Sequence, residues 1–227
     1  MRRGRQLVFA AFAALAVSAA GLSPRSIAAA RTVGAQEVID RIVARVENDV
    51  ILLSDLRNLE RYQLLVDGKQ ESDGLALDRL VDQWIVRSEA DASRFPQPTT
   101  AEVDRGLQRL RDSFDSPAEY EARRKASGLT ESEIRSLMAS QLYLGNYLDS
   151  RFRPSARIEP QQIEDFYNSA LVPRAKARGQ QPPTLDASRD AIQEALTQQA
   201  ITEQANQWLK ESRSRLHVEI LLDGAAK

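Results

Sequence analysis

Residues 41–59 read RIVARVENDVILLSDLRNL, and the reading of this stretch decides the fold. Ile42, Ala44 and Val46 alternate against Arg41, Val43 and Arg45, the period-two pattern of a half-buried strand. Glu47-Asn48-Asp49 supplies a short turn, and Val50-Ile51-Leu52 returns as a second strand. Ser54 then stands as an N-cap, with Asp55 in the first turn, where a negative charge suits the helix dipole. A hairpin feeding a helix is the expected start of the folded region.

The other end of the chain answers it. In RLHVEILLDG, residues 215–224, Leu216, Val218 and Ile220 alternate against His217 and Glu219. This is a third strand, and no other strand pattern is available to pair with it except the hairpin. Nearly everything between reads as helix: 55–66, 74–92, about 99–114, 116–127, 131–152, a short helix 160–167, and 185–214, with the proline-rich stretch 170–184 the least ordered. Leu77, Leu80, Val81, Trp84 and Ile85 form one stripe on the second helix. Three boxes pair a hydroxyl N-cap with a glutamate three residues on: Thr99 with Glu102, Ser116 with Glu119, and Thr130 with Glu133. The expected class is mainly α, a helical core with a small antiparallel sheet joining the N-terminal hairpin and the C-terminal strand.

Upstream, Arg2, Arg3 and Arg5 precede an apolar run at 7–22, then Pro24 and the small residues Ala28, Ala29 and Ala30. This is the layout of a secretory signal peptide, and the run is short for a membrane span, which needs roughly 20 apolar residues. The expectation is a periplasmic protein with no stable membrane insertion once 1–30 are removed. Cleavage there removes four arginines and no acid, so the charge becomes 27 − 32 = −5, which argues against a nucleic-acid partner. The chain has no cysteine, so neither disulfides nor a lipid-modified cysteine contribute.

Catalytic chemistry is hard to place. His217 is the only histidine, and its alternation within a strand reads as a surface position. Metal, cofactor, phosphate-loop and nucleophile-elbow patterns are all missing, and the carboxylates sit in capping boxes or on solvated helix faces. No cofactor and no enzymatic activity are expected.

The order of elements resembles the SurA-type periplasmic chaperones. The resemblance rests on the strand, Asn48-Asp49 turn, strand and Ser54-Asp55 helix start, on LDRLVDQWIVRSE at 77–89, on Thr99-Thr100-Ala101-Glu102-Val103, and on IEPQQIEDFY at 158–167. In that family a parvulin prolyl isomerase domain of about one hundred residues follows such a segment. Here the last helix begins at 185, so the isomerase is lacking. The resemblance implies a helical chaperone domain over 31–168, a linker at 169–184 in place of the isomerase, and a closing helix and strand over 185–227.

It also implies an ATP-independent holdase that binds unfolded or nascent exported polypeptides in an apolar groove. Outer-membrane β-barrel precursors would be among them in an organism with an outer membrane. Such binding needs apolar surface left open on a well-charged exterior. Tyr143 and Tyr147 lie off the core stripe of their helix, and Ile201 and Trp208 lie off the Leu185–Ile192–Leu196 face of theirs. These four are the candidate client-binding residues. The competing reading packs them against a neighbouring helix, the commoner fate of an aromatic on a bundle. The alternative function is an adaptor module that binds one dedicated envelope protein. Either could close its clasp within one chain or by exchanging strands between two copies.

Overall fold

The computed structural model describes residues 40–222, so the expected export signal at 1–30 lies outside the described residues. β1 (Ile42–Val46) turns through Glu47-Asn48 into β2 (Asp49–Leu52), which runs directly into α1 (Leu53–Asp67). α2 (Asp73–Ala92), α3 (Thr100–Asp112), α4 (Pro117–Ser127) and α5 (Glu131–Phe152) follow, then α6 (Pro160–Phe166) and α7 (Val172–Ala177). α8 (Leu185–Arg213) leads into β3 (Val218–Ile220). The sheet order is β2-β1-β3 and both pairings are antiparallel, so the two ends of the folded region meet.

The clasp differs from simple alternation in one respect. Ile42 pairs with Leu52 and Ala44 with Ile51, and the register shifts between Ile42 and Ala44. A bulge at this point breaks the period of two and turns Val43 inward. Val43, Ala44 and Val46 are therefore all fully buried, while Ile42 is only half-buried. The hairpin turn carries a second irregularity, because Glu47 has φ 53° where a glycine would be at ease. β3 holds it there: the Glu47 N–H donates to the His217 carbonyl at 3.0 Å. The Glu47 carboxylate in turn accepts from the His217 N–H at 2.7 Å. Glu47→Ala keeps the strained φ and loses the carboxylate bond, whereas Glu47→Gly relieves the strain. In urea unfolding, Glu47→Ala is expected to be the less stable of the two by about 1 kcal/mol.

α1 begins earlier than its sequence suggests. Leu52 rather than Ser54 is the N-cap residue, and Asp55 accepts the Leu52 N–H at 3.0 Å. The strand enters the helix without a loop, which places Ser54 inside the first turn, where its N–H donates to Asp40 at 3.2 Å. Those bonds, with the Ser54 side chain foremost, hold the Asp40 carboxyl below its ordinary range. At the other end Gly68 terminates α1 at φ 69°, and the Arg123 guanidinium lies where a side chain would stand.

The Thr99–Glu102 and Thr130–Glu133 boxes close in both directions. In the third, Ser116 accepts the Glu119 N–H, but the Glu119 carboxylate reaches past Ser116 to the N–H of Asp115.

Three apolar clusters hold the helices. The first joins the sheet to α1 and α2 through Val43, Val46, Ile51, Leu56, Leu77, Val81 and Ile85. Leu222 and, from α8, Trp208 and Leu209 also pack on it. The second gathers Leu65, Val103, Leu107, Tyr120, Leu129, Ile134 and Met138 from α1, α3, α4, the loop before α5, and α5 itself. The third sets Val86 and Ala90 of α2 against Tyr143, Leu144 and Tyr147 of α5. α5 thus packs on α3, α2 and α8, which makes it the central helix.

The stretch 169–184, expected as a linker, is helical for half its length. A π-helical turn at Tyr167–Leu171 carries α6 into α7. Pro173 does not interrupt, because it sits in the first turn of α7, where proline is tolerated. The chain leaves helix only at 178–184, where Gly179 adopts φ 68° ahead of two prolines.

Candidate functional site

Three of the four residues proposed from sequence are core residues. Tyr143 is 1 % exposed, Tyr147 6 % and Ile201 5 %. The side of α5 opposite its Ile134–Met138 stripe is not free surface, because the C-terminal half of α2 and Phe95 cover it. The Phe95 ring stands 6.0 Å from that of Tyr143 and 5.5 Å, edge-on, from that of Tyr147. The Tyr143 hydroxyl donates to Asp91 at 2.6 Å, and the Tyr147 hydroxyl accepts from Arg151 at 3.1 Å. Trp208 is half-buried. It packs near Phe152, ring to ring 5.9 Å, and the Arg151 guanidinium caps it 4.9 Å from the ring centre. Tyr143, Tyr147 and Ile201 present no open apolar face, and Trp208 keeps only part of its ring exposed.

Burial, reinforced by the hydrogen bond to Asp91 and its charge, pushes the Tyr143 hydroxyl up to about 12. A proton held more tightly in the folded state than in the unfolded one stabilises the fold fully below the unfolded pKa near ~10. That stabilisation is lost as pH rises through about 12. Alkaline unfolding followed by circular dichroism is therefore expected to shift to higher pH in Tyr143→Phe. An unchanged alkaline midpoint would contradict this account of the buried hydroxyl.

Open apolar surface lies elsewhere. A groove of about 280 Å³ runs between β2, α1, α2 and α5. Its apolar lining comes from Val50, Ile51, Leu59, Tyr62, Leu80, Trp84 and Leu137, and its polar lining from Asn58, Gln83, Ser140 and Gln141 with the exposed charges of Asp55 and Arg87. Ile51 and Leu59 form a buried floor; Tyr62, Leu80, Trp84 and Leu137 are half-buried, and Val50 is 46 % exposed. Asp49 accepts the Trp84 indole N–H at 2.9 Å, so the hairpin fixes the orientation of the largest wall residue. Arg87 hydrogen-bonds Ser140 across the seam between α2 and α5.

A second hollow of about 280 Å³ adjoins the first, sharing Gln83 and Gln141, and continues along the same seam over Val86, Leu144, Leu148 and Leu209, with Arg79 and Asp82 beside them. The two make a trough with apolar patches on either side of a pair of flexible amides.

No family model matches this chain, and neither does any curated protein. The geometry therefore carries the functional argument. Among the described residues, no three His, Asp or Glu side chains are placed to hold a metal ion, and no helix is long and apolar enough to cross a membrane. His217 lies exposed just ahead of β3 and serves there through its backbone.

The sequence did contain the groove residues, but under another heading. Leu80 and Trp84 belong to the α2 stripe and Leu137 to that of α5, so helical periodicity counts them as core. They line the outer edges of those stripes, and only the arrangement of α1, α2 and α5 reveals that these edges face a gap.

Proposed function

We propose that the protein is an ATP-independent holdase of the bacterial envelope, similar in role to the SurA-type chaperones and without an isomerase. The observation that carries the reading is the trough on α2 and α5, where half-buried aromatic and aliphatic side chains alternate with adaptable amides. Apolar contacts of this kind accept many sequences, while Asn and Gln side chains satisfy the backbone of an extended client without dictating its side chains. The apolar floor of Ile51 and Leu59, with the charges of Asp55 and Arg87 exposed to solvent around it, favours unfolded segments over a charged small molecule.

The reading gains support from the element order described above and from the expected export signal. Its clients would be unfolded exported chains, outer-membrane β-barrel precursors included. The test is aggregation of several unrelated unfolded proteins, followed by light scattering with near-equimolar protein lacking residues 1–30. Slowed aggregation across the panel is expected. No protection for any member, with tight binding to a single native envelope protein, would replace the holdase by an adaptor.

A further inference from the structure

The trough leaves one sequence feature unused, the basic stretch LVPRAKARGQQPPT at 171–184. The structure carries it out on an arm. α6 packs on α8, and Ile163 is buried there. The π-helical turn after α6 retains a lighter contact with α8, and α7 packs principally on that turn. The Tyr167 hydroxyl donates to the Pro183 carbonyl at 2.7 Å and ties the base of the returning loop. What projects beyond is α7 and its tip, with Arg174, Lys176 and Arg178 all exposed.

These three cations differ from most of the arginines around them. Across the rest of the fold arginine is commonly matched to an acid, as Arg153 is to both Asp149 and Glu194. Arg174, Lys176 and Arg178 have no ion-pair or hydrogen-bond partner for their side chains among the described residues. Nor can the local sequence provide one, since 166–185 is the longest stretch after Glu37 without an Asp or Glu. An otherwise acidic protein thus concentrates unmatched positive charge at the end of one projecting element. At 100° per residue Arg174 and Arg178 share one side of the helix and Lys176 lies on the other. Charges spread round a tip suit a broad anionic surface better than a pocket for one carboxylate. Half-buried Leu171 and Val172 stand just behind them, adding the apolar component that interfacial elements combine with basic residues.

We propose that the α7 tip is a docking site for an anionic lipid surface, holding the protein at a membrane peripherally while the trough stays open. The inference stands on a different surface from the trough and does not depend on the holdase reading.

Each basic residue near such a surface strengthens binding about fivefold, so losing all three lowers it on the order of a hundredfold. The experiment is co-sedimentation of the protein lacking residues 1–30 with vesicles of phosphatidylglycerol and phosphatidylcholine at low salt. The comparison variants are Arg174→Gln/Lys176→Gln/Arg178→Gln and, removing equal charge elsewhere, Arg109→Gln/Lys125→Gln/Lys210→Gln. The unsubstituted protein and the second variant are expected to bind, the first variant to stay in solution, and high salt to release what had bound. Absence of binding by the unsubstituted protein, equal binding to pure phosphatidylcholine, or equal loss in both variants would overturn the proposal. Capture by polyglutamate in place of vesicles would also overturn it, by pointing to an acidic polypeptide.

Discussion

Replacing Tyr143 by alanine is expected to destabilise the fold by about 3–5 kcal/mol, the range for emptying a buried aromatic site. Tyr143 is among the largest fully buried side chains, and it fills the seam between α5 and α2 at the edge of Phe95. Removing the ring leaves a cavity lined by Val86, Ala90 and Tyr147, all held on helices that cannot collapse independently. The cost should be read as a drop in the urea midpoint with an unchanged slope. Tyr143→Phe keeps the ring and leaves only Asp91, which is exposed and can turn to water, so its cost at neutral pH is expected to be below about 1.5 kcal/mol. The pair of variants separates two roles. A client-binding tyrosine would lose holding capacity with little loss of stability, and a core tyrosine the reverse.

The second large effect is expected at Trp84. Its indole forms a wall of the trough and is oriented by Asp49, so Trp84→Ala removes the largest apolar contact a client can make there. Large aromatic anchors in a binding surface commonly contribute ~2 kcal/mol or more, so the variant should bind unfolded protein at least tenfold more weakly. Because Trp84 also packs against the first core cluster, circular dichroism must show the variant folded. Val50→Glu provides the independent case. Val50 is 46 % exposed on an edge strand, and a charge there spoils the trough at little cost to the core. Loss of protection in both folded variants is the expected result. Undiminished protection in both would move client binding away from the trough.

How far the sequence reached can be seen residue by residue. Hairpin, C-terminal strand and their pairing were legible because alternation is a local signal and only one partner was available for Val218 and Ile220. Helix limits were legible where a hydroxyl cap or a glycine marks them, as at Thr130 and Gly128. The bulge at Val43 was not, because it depends on how β1 must twist to place two neighbouring residues in one core. Ser54 was misplaced for a similar reason: a strand that enters a helix without a loop shifts the cap upstream.

The candidate site was the least legible part. A helical wheel for α5 separates two faces but cannot tell that the central helix of a bundle has both faces covered, which is why Tyr143 and Tyr147 are core. Trp84 and Leu137 suffered the opposite error, since membership of an apolar stripe says nothing about whether a neighbour reaches its edge.

The proposed client binding in the trough is open to direct observation, because the chain has two tryptophans and they occupy different places. Trp84 lines the trough, and Trp208 is half-buried away from its lining, against Phe152 and Arg151. In Trp208→Phe, titration with an unfolded client lacking tryptophan should shift the emission of Trp84 to shorter wavelength and saturate, as water leaves the indole. In Trp84→Phe the same titration should leave the emission of Trp208 unchanged. A shift at Trp208 with none at Trp84, under conditions where the protein suppresses aggregation, would contradict the account.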